Sequence, residues 1–115
     1  MRYLLLCCFE EKRWNALPAA QRDSIMRDYG ALMKRLDESG NHLATAKLQP
    51  SPTAATVRGR DGKATVIDGP FAETKEQLGG YHVIECRDFD EALAIAQQIP
   101  TIPHGGAVEV RAIEY

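Results

Sequence analysis

The chain has 115 residues, 44% hydrophobic and 26% charged, and its 14 basic and 16 acidic residues leave a net charge of −2. That composition describes one soluble domain with a single core. The charges are interspersed, and Arg58 and Arg60 alone do not make the clustered basic face of a nucleic-acid binder. No segment reaches membrane-spanning length. The opening run Tyr3–Phe9 is too short for a signal peptide and leads straight into Glu10-Glu11-Lys12-Arg13, so a cytoplasmic location is expected.

Tyr3 to Phe9 reads as a strand that is apolar on both faces, which suits a strand covered on both sides. Its neighbours Cys7 and Cys8 point to opposite faces, which disfavours a bridge between them. With Cys86 they form no CxxC and no metal spacing, so reduced thiols are expected. Glu10 to Leu17 reads as a polar loop or one helical turn, with Trp14 over the edge of the core. From Pro18 a helix begins, with Ile25, Tyr29, Leu32, Met33 and Leu36 on one apolar stripe and Gly40 as its stop. Gly30 lies inside that helix at a cost of about 1 kcal/mol relative to Ala.

Leu43 to Leu48 is a short strand. Thr53–Arg60 and Lys63–Ile67 form a hairpin about Asp61-Gly62. The stretch from Asp68 to Tyr81 carries more polar chemistry than a connection needs, and Thr74 and Gln77 have capping-box spacing for one helical turn. Tyr81 to Cys86 is a strand. Asp88 and Glu91 repeat the capping box ahead of a helix bearing Ala92, Leu93, Ala96 and Ile99, which Pro100 ends. Ala107 to Glu114 is a last, alternating strand.

The order β-α-β-β-β-β-α-β, with the hairpin either inserted or supplying the second and third strands, predicts a ferredoxin-like α+β fold. Two helices cover only one face of its antiparallel sheet. The other face is also apolar, so a homodimer is expected in which two sheets meet as a dimeric α/β barrel.

The motif Asp68-Gly69-Pro70-Phe71-Ala72-Glu73-Thr74-Lys75-Glu76-Gln77-Leu78-Gly79-Gly80-Tyr81 resembles the signature of the YCII-related family, and within it the DGPF-domain subgroup. Tyr3-Leu4-Leu5-Leu6, Leu48-Gln49-Pro50, Arg60-Asp61-Gly62-Lys63, Asp88-Phe89-Asp90-Glu91-Ala92-Leu93 and Val108-Glu109-Val110-Arg111 extend the resemblance over nearly the whole chain, residues 1–115. It implies dimeric α+β barrels in bacterial proteins, many encoded beside extracytoplasmic-function sigma factors. In the wider family it implies a His–Asp catalytic pair and a dehydrochlorinase among the relatives.

The candidate catalytic residues are Asp68, whose acid at a strand end either faces the dimer interface or caps the turn, and His82, the best proton carrier by residue type. Tyr81, Glu73, Lys75 and Arg111 are candidate substrate contacts. Arg111 alternates with Glu109 on a charged strand face, where the two form either an ion pair or a ligand anchor. Phe71 is expected to plug the core or interface. His42 and His104 are expected at the surface or in loops. The three histidines have no metal spacing, and no cofactor is expected. Two readings follow: a cofactor-free acid–base enzyme or binder of small molecules, lyase- or isomerase-like, and a non-catalytic accessory module paired with a sigma factor.

Overall fold

In the computed structural model, which describes residues 1–115, four strands form one antiparallel sheet. They are β1 (Arg2–Phe9), β2 (His42–Lys47), β5 (Gln77–Glu85) and β6 (Ala107–Ala112), in the order β2-β5-β1-β6. Strands β3 (Ala55–Arg60) and β4 (Lys63–Asp68) pair only with each other. The hairpin is therefore an insertion in a ferredoxin-like plan. Asp61 and Gly62 turn it with positive φ, as the Asp-Gly signal requires.

Three helices accompany the sheet: α1 (Glu11–Ala16), α2 (Ala19–Glu38) and α3 (Phe89–Ala96). The α2 stripe behaves as its spacing predicts, burying Ile25, Leu32 and Leu36. Pro18 stands just outside α2 as its N-cap rather than within the first turn. Asp88 caps α3 by accepting from the Glu91 N–H, and Ala92, Ile95 and Ala96 are buried. Leu32, Leu36, Ala92, Ile95 and Ala96 join Tyr3 and Leu5 of β1 and Ile84 of β5 in one core on the inner face of the sheet.

On the outer face, strand register aligns Leu4 with Val83 and Arg111, and Leu6 with Tyr81 and Glu109. No helix covers these side chains within the chain. Glu109 and Arg111 form an ion pair at 2.7 Å there, one of the two expected arrangements. Both partners are largely exposed, so the pair contributes little to stability.

Two expectations need correction. Thr74 and Gln77 do not start a helical turn: Gln77 opens β5 opposite Phe9, and its side-chain amide donates to the Thr74 carbonyl. Ladder hydrogen bonds to β1 outweigh an isolated turn, whose nucleation is unfavourable. Phe71 plugs nothing. It is 74% exposed on the loop after β4, with the Arg58 guanidinium 5.0 Å from its ring centroid.

Candidate active site

The inner face is not filled along its whole length. Between α2 and the β2-β5-β1 part of the sheet lies a cavity of about 600 Å³. Its floor is sheet: Cys7 from β1, Thr45 from β2, and Gly80 and His82 from β5. Its roof is α2, through Met26, Tyr29, Gly30 and Met33, and Trp14 of α1 closes one side. Two glycines shape it. A Cβ on Gly80 would sit 2.8 Å from the Ala46 carbonyl oxygen, so only glycine lets β2 approach β5 here. A Cβ on Gly30 would meet nothing within 4 Å, so this glycine serves no close packing and instead leaves the roof open.

His82 is the polar centre of the floor. It is only 6% exposed and stacks on the Tyr29 ring, with centroids 6.1 Å apart and 26° between planes. Burial, and then the neighbouring His42, lower its pKa and keep the imidazole neutral at pH 7. A neutral imidazole in an apolar pocket is a proton acceptor. Beside it, burial pushes the Tyr29 hydroxyl up to about 12, with Cys7 and Thr101 as neighbours. Burial likewise pushes the Cys7 thiol up to about 11. Both groups keep their protons at neutral pH and serve as hydrogen-bond donors, not nucleophiles.

The mouth is pinned by one carboxylate. Glu11 accepts from the Ser51 N–H at 2.8 Å and from the Ser51 hydroxyl at 3.0 Å, while its own N–H donates to Gln77 Oε1 at 2.8 Å. These bonds tie α1, the Ser51–Thr53 turn and the start of β5 together. Trp14 packs edge-on against Phe9, and the Lys47 ammonium lies 6.0 Å from the Trp14 ring centroid. Lys47 is the cation of an otherwise largely apolar wall.

Of the residues singled out from the sequence, His82 lies in the cavity and the others lie apart from it. Asp68 ends β4 on the exposed hairpin, paired in register with Ala55. Tyr81 and Arg111 belong to the outer face, and Lys75 is exposed on the loop before β5. Glu73 borders a separate depression of about 290 Å³, which shares Gln77 with the main cavity. His104 ends a single 3₁₀ turn, Ile102–His104, rather than lying in an irregular loop, and its Nδ1 is 3.3 Å from the Gln21 amide nitrogen. His42 departs from the expected surface or loop placement: its side chain is 12% exposed on the inner side of β2. No helix is long and apolar enough to cross a membrane, the three cysteines are free, and no cluster of three metal-binding side chains is present.

The YCII-related domain matches residues 1–115. The chain belongs to the YCII-related family. An uncharacterised protein of Rhizobium meliloti is 40% identical to this YCII-related chain over 112 residues, which are 96% of this chain and 90% of that protein. The solved structure of 5-chloro-2-hydroxyhydroquinone dehydrochlorinase from Burkholderia phenoliruptrix, in complex with 2,5-dihydroxybenzoquinone, has a TM-score of 0.52 to this chain. It is 16% identical, with 100% of this chain and 95% of that chain covered, and the likeness is one of fold.

Sequence reasoning reached His82 by residue type but missed Tyr29, Cys7, Trp14 and Lys47. Tyr29 carried a usable signal, being the one polar tip on the α2 stripe. The others depend on how α1 and α2 close over the sheet.

Proposed function

We propose that this YCII-related protein is a cofactor-free acid–base enzyme acting on a small hydroxylated ring compound inside the α2–sheet cavity. The observation that carries the reading is a buried, neutral His82 stacked on a protonated Tyr29 in an apolar cavity of about 600 Å³. A cavity of that size accepts a single-ring substrate. Tyr29 and Trp14 offer aromatic faces, and Lys47 attracts a phenolate or enolate oxygen. His82 takes a proton from the substrate, the released electron pair forms a new double bond or expels a leaving group, and the Tyr29 hydroxyl hydrogen-bonds the oxygen that gains charge. Elimination and isomerisation both fit, because each needs only these groups and a dry pocket.

The fold neighbour is named for removing chloride from a hydroxylated ring, which makes the compound bound in its structure a sensible first probe. Trp14 is the only tryptophan and lines the cavity, so its fluorescence reports binding. Titration with 2,5-dihydroxybenzoquinone and chlorinated hydroxyhydroquinones should give saturable quenching, and His82→Gln should keep binding while losing turnover. Absence of saturable binding across the panel would sink the ring-substrate reading; full turnover by His82→Gln would remove the base. Asp68→Asn is expected to leave both unchanged, and loss of turnover there would return the carboxylate to the mechanism.

The reading includes a homodimer formed through the outer face, where Leu4, Leu6, Tyr81 and Val83 share one uncovered surface. Burying such a surface against a second sheet gains about 25 cal/mol per Å².

A further inference from the structure

A line of polar side chains runs from the end of α2 to His82, and the acid–base reading above does not use it. Asp37 Oδ1 lies 2.8 Å from Nδ1 of His42, with side chains 62% and 12% exposed respectively. The His42 ring lies 6.2 Å from that of His82, inclined at 60°. Nε2 of His42 and Nδ1 of His82 are both buried and without a hydrogen-bond partner. A buried polar atom without a partner loses its hydration and gains nothing in return, so two in neighbouring rings are not what packing alone selects.

The backbone is built to bring His42 there. It pairs with Ile84, while Thr45 pairs with His82, and the register slips between His42 and Ala44. Three residues apart on a regular strand, His42 and Thr45 would face opposite sides. The bulge turns both towards the interior, a common use of bulges beside sites. Asp37 then sets the chemistry of the ring. With the His42 hydrogen on Nδ1, that carboxylate accepts it and the lone pair falls on the buried Nε2.

We propose that Asp37 and His42 form a proton relay that carries protons between His82 and solvent. It rests on the reading of His82 as the base. After His82 has taken a proton from substrate, its Nδ1 hydrogen passes to Nε2 of His42, through one bridging water or a small ring rotation. As that proton arrives, the Nδ1 proton of His42 leaves to the exposed Asp37 carboxylate and on to water. Return of a proton from water through Asp37 to Nδ1 of His42, with the Nε2 hydrogen of His42 passing back to Nδ1 of His82, restores both tautomers once His82 Nε2 hands its proton to the product or leaving group. The titratable groups facing His82 are Tyr29 from α2, Cys7 from β1 and His42 from β2, and only His42 leads outward.

The test measures the exchange of the His82 ring proton with water by imidazole 15N–1H NMR on the full chain, and needs no substrate. His42→Phe should slow that exchange on the order of tenfold, the effect of about 1.4 kcal/mol on a barrier. Asp37→Asn, at an exposed position that tolerates change, keeps an acceptor oxygen but loses the charge, and should slow exchange measurably. Unchanged exchange in Asp37→Asn, or in a folded His42→Phe, overturns the relay. Failure of the acid–base reading appears elsewhere, as undiminished turnover in His82→Gln, and leaves the exchange measurement interpretable.

Discussion

Gly30 offers the sharpest test of the cavity, because at this position stability and function pull apart. Glycine in the middle of a helix is less favourable than alanine by about 0.8–1.0 kcal/mol. An alanine Cβ here would meet no heavy atom within 4 Å, so no steric cost offsets that gain. Gly30→Ala should therefore stabilise the protein by about 1 kcal/mol, which raises Tm by about 4 °C in a domain of this size. Gly30→Leu should also fold, since its side chain enters the open roof beside Met26 and Met33, but it should abolish quenching of Trp14 by ring ligands. Calorimetry measures the first effect and fluorescence titration the second. A destabilised Gly30→Ala would refute the argument, because it would mean that the roof is closed by contacts absent from this structure.

His82 gives a pH signature. Its folded-state pKa is lowered, so unfolding takes up a proton below the ordinary value of 6.5, and stability falls as pH drops through that point. The slope is at most about 1.4 kcal/mol per pH unit; thermal melts from pH 7 to 5 should show it, and His82→Phe should flatten it. Parallel profiles would mean that His82 is not held neutral by burial. With its pKa pushed up to about 11, against 9.0 for the unperturbed group, Cys7 should react with a disulfide reagent at pH 8 roughly a hundredfold more slowly than a free thiol, as mass mapping would reveal. If the proposed dimer forms through the outer face, Leu4→Glu, opposite Val83, should yield a folded monomer in analytical ultracentrifugation. A wild-type monomer would refute the dimer. Gly80→Ala should cost about 1–3 kcal/mol in thermal unfolding, because the clash is with backbone, and a neutral effect would show that β2 can move.

Much of the fold was legible because local rules act on neighbouring residues. The α2 stripe, the Asp-Gly hairpin and the Asp88 cap each follow from spacing that a few residues fix on their own. The failures share a cause. Thr74 and Gln77 carried a valid capping signal, but the ladder between β5 and β1, joining residues far apart in the chain, outweighed it. Phe71 looked like a core residue by type, and only the isolation of the β3–β4 hairpin exposes it.

The sequence by itself determined a ferredoxin-like α+β plan with a hairpin, two amphipathic helices and a first strand without a polar face, because these depend on periodicity and turn chemistry; that the hairpin is inserted was decided by the pairing of β3 with β4 alone. It also supplied His82 as a proton carrier. Only the tertiary structure decided where the chemistry lies, because a cavity is the shape left between α2 and the sheet. The polar signature at Asp68 drew attention to the hairpin. The fold instead gathers His82, Tyr29 and Cys7 from three distant segments and turns His42 inward through a bulge. Burial, which no single segment encodes, is what makes that imidazole a neutral base.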